Sequence, residues 1–173
     1  MRLKAALGNA RVSMQVDIGI GDVLFPQPQD VEYPTLLDFP PARLKGYAME
    51  STIAEKFHAM VILGILNSRM KDFYDIWMLS RTFDFAGEAL AEAIEKTFEA
   101  RHTQLSSEAM VFEPSFANDG GKQAQWRAFV RKSNLGDAPR SFSEVVDGVG
   151  SFLRPLVRAR AEGLPFDAAW KAP

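Results

Sequence analysis

The sequence contains no cysteine and only two histidines in 173 residues. Without cysteine the chain forms no disulfide and has no thiolate for catalysis, and the shortage of nitrogen and sulfur ligands argues against a structural zinc site. No apolar run is long enough to span a bilayer and no signal peptide opens the sequence, so we expect a cytoplasmic protein without a membrane partner. Positive and negative charges nearly balance, at a formal net charge of −2, so overall charge gives no attraction to nucleic acid or anionic lipid.

What the sequence does have is a succession of helical patterns after a short β-like beginning. Its composition, 47% hydrophobic and 24% charged, is typical of a soluble globular protein of a size that can bury a core. We expect an α+β fold that is mainly α. Its parts are an N-terminal region at residues 1–48 and a helical region at residues 49–173.

The N-terminal region is predicted to contain the end of a helix at Met1–Gly8 and a strand at Arg11–Ile20. The strand alternates apolar and polar residues, which is typical of a half-buried strand. A second strand-like run at Val31–Phe39 contains Pro34, which limits it to an edge or a short strand. Two strands alone are marginal in water, so we expect the other strands of this sheet to be missing and self-association through Arg11–Ile20.

The most unusual charges lie in the stretch Glu50–Asp75, which is predicted to form two helices joined by a polar turn. Thr52 and Glu55 have the spacing of a capping box and place the start of the first helix near them. Lys56 lies at the border of the apolar face of that helix. In the second helix, Asp72 and Asp75 are three residues apart and therefore lie together beside its apolar face.

Two interpretations of these charges remain open. Carboxylates held against a core raise the free energy of the fold unless a cation or a metal compensates them. In the commoner case, Lys56 or Arg69 forms a structural salt bridge between the helices. In the other, Lys56 contacts phosphate in a polar pocket, and an aspartate handles a proton or Mg²⁺. We expect Lys56 to lie close to Asp72 or Asp75.

Asp17 allows two interpretations as well. It lies on the polar face of the strand Arg11–Ile20, close to the predicted turn. A solvated strand residue is the commoner case. The functional alternative is an acid at a strand end, directed at a metal or a nucleophile.

Beyond this stretch the pattern is helical. Helices are predicted at Gly87–Ala100 and Lys122–Lys132. Ser141 and Glu144 form a capping box that opens a long helix, which Pro155 should kink or split. Three arginines make the end of this helix basic: Arg154, Arg158 and Arg160. Such a group is usually a solvated face, and RNA contact is the rarer alternative.

Several blocks of the sequence resemble the nucleotidyltransferase AbiEii/AbiGii toxin family of the DNA polymerase β-like superfamily. The blocks are VDIGIGD at Val16–Asp22, YPTLLDFP at Tyr33–Pro40, ESTIAEKF at Glu50–Phe57 and NSRMKDFYDIW at Asn67–Trp77. The resemblance continues to FLRP at Phe152–Pro155 and covers nearly the whole chain. It implies a remnant of a nucleotidyltransferase sheet followed by a helical bundle, and a toxin of a toxin–antitoxin or phage-defence system.

The resemblance also implies a reaction and its residues. It implies transfer of a nucleotide from an NTP, with Mg²⁺, to an acceptor such as tRNA. The third carboxylate of the family matches Asp17, which would bind the metal. The motif lysine matches Lys56, and the last motif matches Asp72 and Asp75. Lys56 and Arg69 would bind the nucleotide, and a cognate antitoxin would be the protein partner.

One departure from the family pattern concerns the principal metal ligands. The family has a Gly-Ser turn and a strand Asp-x-Asp, but neither precedes Asp17 in this sequence. We therefore expect an N-terminally truncated member without detectable transfer activity alone. The alternative is a non-catalytic helical module that binds a partner, and a third option is a helical RNA-binding domain that uses the three arginines named above.

Overall fold

The computed structural model describes residues 1–19 and 24–173, which form two β-hairpins followed by six helices. The first hairpin pairs β1 (Arg2–Leu7) with β2 (Ala10–Gln15), and the second pairs β3 (Gln29–Tyr33) with β4 (Ala42–Gly46). Both pairs are antiparallel, and each is a separate two-stranded sheet. The predicted class, α+β and mainly α, is confirmed.

The helices follow one another along the chain, and the longest connection between them is residues 101–113, before α4. They are α1 (Met49–Leu63), α2 (Met70–Thr82), α3 (Gly87–Ala100), α4 (Pro114–Ala117), α5 (Gly120–Ser133) and α6 (Phe142–Ala161). The helix predicted at Gly87–Ala100 is confirmed at both ends, and the one predicted at Lys122–Lys132 lies within α5. In the part of the chain that the structure describes, no helix combines the length and apolar character needed to cross a membrane.

The start of α1 differs from its prediction. The helix begins at Met49, after Ala48, and no side chain caps it. Thr52 and Glu55 therefore lie inside the helix, and the capping box predicted for them is wrong. Ala48 is itself buried, so burial of the helix entry, rather than a side-chain cap, fixes where α1 begins.

The start of α6 follows its prediction, and Pro155 does not split the helix. Ser141 caps the helix, because its Oγ accepts a hydrogen bond from the Glu144 amide at 3.3 Å. The helix then continues through Pro155 to Ala161, so of the two predicted effects the split is wrong, and the kink stays a prediction. Because proline has no backbone N–H, the Ser151 carbonyl lacks the helical hydrogen bond that residue 155 would otherwise donate. Ser151 and Pro155 are both exposed, so water can satisfy that carbonyl.

The first hairpin corrects three predictions. Arg2–Leu7 is a strand, so the predicted helix end at Met1–Gly8 is wrong. The strand predicted at Arg11–Ile20 is shorter, since β2 ends at Gln15 and Ile20 lies outside the described residues. Every residue of β1 and β2 is exposed, so the predicted half-buried character is also wrong. In the second hairpin, β3 ends directly before Pro34, as expected of proline in a strand.

The core lies among the helices. The largest side chains with almost no exposed surface are aromatic: Phe57, Phe73, Phe98, Phe116, Trp126 and Phe142. Helix α6 contributes a stripe at helical spacing that includes Val145, Val149, Phe152 and Leu156. Helices α2 and α6 approach closely at Gly148, where a Cβ atom would lie 2.7 Å from Cδ1 of Trp77. We call this packed unit, from α1 to the end of the chain, the helical body.

The segment after α6 returns to the α2–α3 junction. Phe85 and Trp170 form an isolated antiparallel bridge with backbone hydrogen bonds in both directions, at 3.1 and 2.9 Å. The Trp170 indole Nε1 donates to the Ser80 carbonyl at 2.6 Å, and its ring meets Phe152 edge-on at 4.9 Å between centroids. This segment therefore ties α2 and α3 to α6.

Candidate functional site

Helices α1 and α2 bring one lysine and two aspartates into contact. Lys56 Nζ lies 2.8 Å from Oδ1 of Asp72 and 2.7 Å from Oδ2 of Asp75. Helix α1 buries Phe57 and α2 buries Phe73, and these neighbouring positions set the charged residues at the edge of the helix contact. The predicted closeness of Lys56 to Asp72 or Asp75 is confirmed. We call these three residues the Lys56 cluster.

Two more cations compensate the carboxylates. Arg69 Nε lies 2.8 Å from Oδ2 of Asp72, and Lys71 Nζ lies 2.6 Å from Oδ2 of Asp75. The Asp72 side chain is only 5% exposed, and its Oδ2 forms no hydrogen bond to the described residues. That oxygen is therefore held by the charge of Arg69 without a well-directed hydrogen bond.

The Lys56 cluster changes the protonation of the lysine. Burial lowers the pKa of Lys56, but the hydrogen bonds and negative charges of Asp72 and Asp75 outweigh burial and leave the pKa above its usual value. Lys56 therefore stays charged at neutral pH. An ammonium group has three N–H donors, so one remains after the two aspartates are contacted.

A pocket of about 220 Å³ opens beside this lysine. Its lining residues are Glu55, Lys56, His58, Ala59, Arg69 and Arg101. Small-molecule sites usually measure about 300–1,000 Å³, so this pocket matches phosphate groups better than a whole nucleotide.

The pocket wall is held by contacts between α1 and the end of α3. Arg101 Nη2 donates to Oε2 of Glu55 at 2.7 Å, and the His58 ring nitrogen Nε2 lies 2.9 Å from the Thr103 hydroxyl. Burial, helped by the charge of Arg101, lowers the pKa of His58. The imidazole is therefore neutral at pH 7 and serves as a hydrogen-bonding group.

Lys122, which the sequence analysis missed, supports the site from behind. It is 4% exposed, and its Nζ donates to the carbonyls of Ile65 and Asn67, both at 2.6 Å. Asn67 Oδ1 in turn accepts the backbone amide of Arg69 at 2.8 Å. Helix α5 thus braces the turn that leads into α2 and its aspartates. The available signal was a lysine in the first turn of a helix, where the helix dipole disfavours a cation.

Asp17 stands apart from this group. It is exposed beyond the end of β2 and accepts a hydrogen bond from Nε2 of Gln15 at 2.8 Å. Within residues 1–19 and 24–173 it forms no hydrogen bond or ion pair with the Lys56 cluster. The structure thus brings together Lys56, Arg69, Asp72 and Asp75. The catalytic and ligand-binding roles expected of these four residues and of Asp17 stay predictions.

The described residues do not fit a Mg²⁺ ion by themselves. Mg²⁺ requires nearly octahedral oxygen coordination, and residues 1–19 and 24–173 contain no group of three or more acidic, histidine or cysteine side chains that could hold a metal. Asp72 and Asp75 are already neutralised by three cations, Lys56, Arg69 and Lys71.

Comparison with known families gave a match. The family described as nucleotidyl transferase AbiEii toxin, type IV TA system, matches residues 1–148. That range contains both hairpins, the Lys56 cluster and Lys122, and ends within α6. Comparison with curated proteins and with solved structures gave no match.

Proposed function

This chain belongs to the nucleotidyl transferase AbiEii toxin family, and on that basis we propose that it transfers a nucleotide from an NTP to an acceptor such as tRNA. The observation that carries the proposal is the contact of Lys56 with two aspartates at the edge of a phosphate-sized pocket. We further propose a cytoplasmic protein of a phage-defence system, whose partner is a cognate antitoxin. Residues 1–48 and 49–173 would be its sheet and helical domains.

The proposed reaction is a phosphoryl-type transfer. An acceptor hydroxyl oxygen bonds to the α-phosphorus of the NTP, the bond from that phosphorus to the oxygen leading to the β-phosphate breaks, and pyrophosphate leaves. Lys56 would offer its third N–H to a phosphate oxygen, and Arg69 would add a second cation. Asp72 or Asp75 would take the proton of the acceptor hydroxyl.

Mg²⁺, with Asp17 as a ligand, is the cofactor that the family resemblance implies. The metal would supply charge neutralisation for the phosphates, but it needs ligands beyond those that the described residues bring together. Residues 1–19 and 24–173 do not complete a metal site, so we expect the chain to bind NTP through Lys56 and Arg69 and to transfer it only when further metal ligands are supplied.

Calorimetric titration with each NTP tests the proposal. We expect Lys56→Met to weaken binding about tenfold or more, because a hydrogen bond to a charged group contributes about 1.5–3 kcal/mol. Lys4→Met is the matched control, since Lys4 is exposed on β1. Equal NTP affinity in the wild type and Lys56→Met would contradict the proposal.

A second assay tests transfer. The chain is incubated with labelled NTP, Mg²⁺ and bulk tRNA, and we expect no labelled acceptor from the wild type. Labelling of tRNA that disappears in Lys56→Met would establish the reaction and refute the expected lack of unaided transfer.

A partner-binding module is the second candidate function, and the first hairpin favours it. Leu3, Val12 and Met14, which share one face by their strand register, are 40%, 52% and 49% exposed. Apolar side chains gathered on one exposed face commonly mark an interface. The partner would be the antitoxin or a second copy of this chain, and sedimentation of the isolated chain separates these outcomes.

A further inference from the structure

A concave site lies between α5 and the loop that leads into α6, and three arginines line it. It measures about 280 Å³, with Arg127 and Arg131 on α5 and Arg140 at the end of the loop. The other residues that line it are uncharged, among them Trp126 and Pro139. We call this site the arginine pocket. Like charges around one concave surface repel each other, so an anion bound there would relieve that repulsion.

The loop between α5 and α6 is fixed against α5. Asn134 ends α5 in the left-handed conformation, at φ 52° and ψ 45°, and this turns the chain back. The Leu135 amide then donates to the Val130 carbonyl at 3.2 Å. The Trp126 indole Nε1 donates to the Pro139 carbonyl at 2.9 Å, and this indole has no exposed surface. The loop is therefore anchored to the core, and its arginine is held beside the two on α5.

The charges of the arginine pocket are not compensated by the described residues. Within residues 1–19 and 24–173, the side chains of Arg127, Arg131 and Arg140 form no ion pair and no hydrogen bond. Asp137, in the same loop, is not among the residues that line the pocket. Residues 127–140 contain four cationic side chains and this single carboxylate. The pocket therefore keeps an excess of positive charge that a ligand can neutralise.

The size and the charge of the arginine pocket favour a compact anion with several charges. Sites for drug-sized ligands usually measure about 300–1,000 Å³, so this pocket suits a ligand at the small end of that range. Each guanidinium presents a planar fork of N–H donors that pairs with two phosphate oxygens. Three such groups match a diphosphate group better than a single carboxylate. The start of α6 contributes little, because Ser141 and Glu144 already cap it.

The arginine pocket is separate from the Lys56 pocket. The two have no lining residue in common. In the Lys56 pocket, Lys56 lies 2.8 Å from Asp72 and Arg101 lies 2.7 Å from Glu55, so those cations already have carboxylate partners. A ligand of the arginine pocket would therefore be a second ligand, bound by different residues.

We propose that the arginine pocket binds a diphosphate group, either free as inorganic pyrophosphate or carried by a small molecule such as a nucleoside diphosphate. The three guanidinium groups bind the phosphate oxygens, and the uncharged walls enclose the group from the sides. This inference is independent of the proposed nucleotide transfer, because it uses none of the residues of the Lys56 cluster.

Calorimetric titration of the full chain with inorganic pyrophosphate tests the proposal. The titration uses Lys56→Met as its background, so that phosphate binding at the Lys56 pocket does not contribute. The test variant adds Arg127→Gln/Arg131→Gln/Arg140→Gln to this background. We expect it to bind pyrophosphate at least tenfold more weakly than Lys56→Met alone. No binding of pyrophosphate by Lys56→Met and by the wild type would overturn the proposal.

The matched control adds Arg2→Gln/Lys4→Gln/Arg11→Gln to the same background. These residues are exposed on the first hairpin and form no ion pair in the part of the chain that the structure describes, so the control removes the same charge without touching the pocket. We expect it to change the affinity less than about threefold. An equal loss in the test and control variants would show attraction by overall charge and overturn the proposal. Circular dichroism checks that each variant keeps its helices.

Nuclear magnetic resonance of the wild type gives a readout that needs no variant to fold. The side-chain Nε–Hε resonances of Arg127, Arg131 and Arg140 should shift when pyrophosphate is added. Resonances of Arg2 and Arg11 should stay in place. Pyrophosphate binding that leaves the three pocket resonances unmoved would overturn the proposal.

Two further titrations identify the source of the diphosphate group and exclude another ligand class. Arginine-dependent binding of pyrophosphate alone would support a free anion, and similar binding of a nucleoside diphosphate would support a carried group. Arginine-dependent binding of bulk tRNA without binding of pyrophosphate would overturn the small-ligand assignment.

The reverse background separates this inference from the proposed function. Arg127→Gln/Arg131→Gln/Arg140→Gln with Lys56 intact isolates the Lys56 pocket in an NTP titration. Failure of that variant to bind NTP, together with arginine-dependent binding of pyrophosphate in Lys56→Met, would refute the NTP site and support the arginine pocket.

Discussion

The two hairpins and the helical body have similar proportions of apolar side chains but bury them to different degrees. In the body, apolar residues at helical spacing such as Ile53, Phe57 and Met60 have no exposed surface. In the first hairpin, Val12 and Met14 alternate as expected of a strand, yet about half of each side chain is exposed. Sequence periodicity therefore predicts which face of an element is apolar, whereas burial depends on whether another element covers that face.

Among the tests of this contrast, a pair of alanine substitutions has the largest expected effect on the free energy of unfolding. Phe57→Ala should lower the free energy of unfolding by about 3–5 kcal/mol, because it removes a buried ring and leaves a cavity. Val12→Ala in the hairpin should change it by less than about 0.5 kcal/mol. Urea unfolding followed by circular dichroism measures both. A loss above 1 kcal/mol for Val12→Ala would show that the hairpin is covered in solution.

The Lys56 cluster gives the next largest effect. Lys56→Met leaves two largely buried aspartates without their shared partner, and we expect a loss of up to about 3 kcal/mol at pH 7. Because the pKa of Lys56 is raised, the stabilisation is present below the usual lysine pKa and is lost as pH rises through the folded-state pKa. Unfolding at a series of alkaline pH values should therefore bring the wild type and Lys56→Met closer together. A constant difference throughout would contradict this linkage.

Lys122 provides a smaller effect within the helical body. Lys122→Met keeps the length of the side chain but leaves the carbonyls of Ile65 and Asn67 without their donor, which should cost about 1–3 kcal/mol. Lys132→Met, an exposed position on the same helix, is the control. If the turn before α2 is braced as described, Lys122→Met should also weaken NTP binding, and Lys122→Arg should restore part of it. Unchanged stability would indicate that the two carbonyls find other donors.

Removal of the first hairpin should have the smallest effect on the fold. Deletion of residues 1–19 should leave the unfolding free energy of the body within about 0.5 kcal/mol and reduce self-association, since it removes the exposed apolar face. The deletion stops before Phe25, whose backbone contacts Ser51 Oγ at 3.1 and 2.7 Å and whose ring packs on the body. Sedimentation of the intact chain as a monomer at high concentration, with amides in β2 protected from exchange, would contradict the prediction of self-association.

Local signals predicted much of the helical body. The ends of α3 and the Ser141 cap follow from periodicity and spacing along single helices. The meeting of Lys56 with Asp72 and Asp75 follows from their places beside the apolar faces of two helices that pack together. The strand β1 was missed because Arg2–Leu7 consists largely of residues that favour helices. Its pairing with β2 is a contact between segments, which intrinsic propensity does not contain.

The contacts that support the candidate site, such as those of Lys122, could not be predicted from local sequence patterns. Lys122 appears in the sequence as an ordinary polar residue at the start of an amphipathic helix. Its burial depends on the path of the turn Ile65–Asn67 in another part of the chain. The pocket lined by Arg127, Arg131 and Arg140 likewise depends on the fold, because Arg140 joins the two α5 arginines only when the loop after α5 folds back.

The contact between Trp170 and Ser80 also bears on how the protein is made. The two residues lie 90 positions apart in the sequence, and α2 leaves the ribosome well before its partner exists. At about 5–20 residues per second, the Ser80 carbonyl waits roughly 5–20 s for the Trp170 indole. During that interval Phe85 lacks its bridging strand, and Phe152, once made, lacks the ring that covers it. A chain released before Trp170 should therefore expose this seam to proteases and chaperones, and the released chain that includes Trp170 should close it.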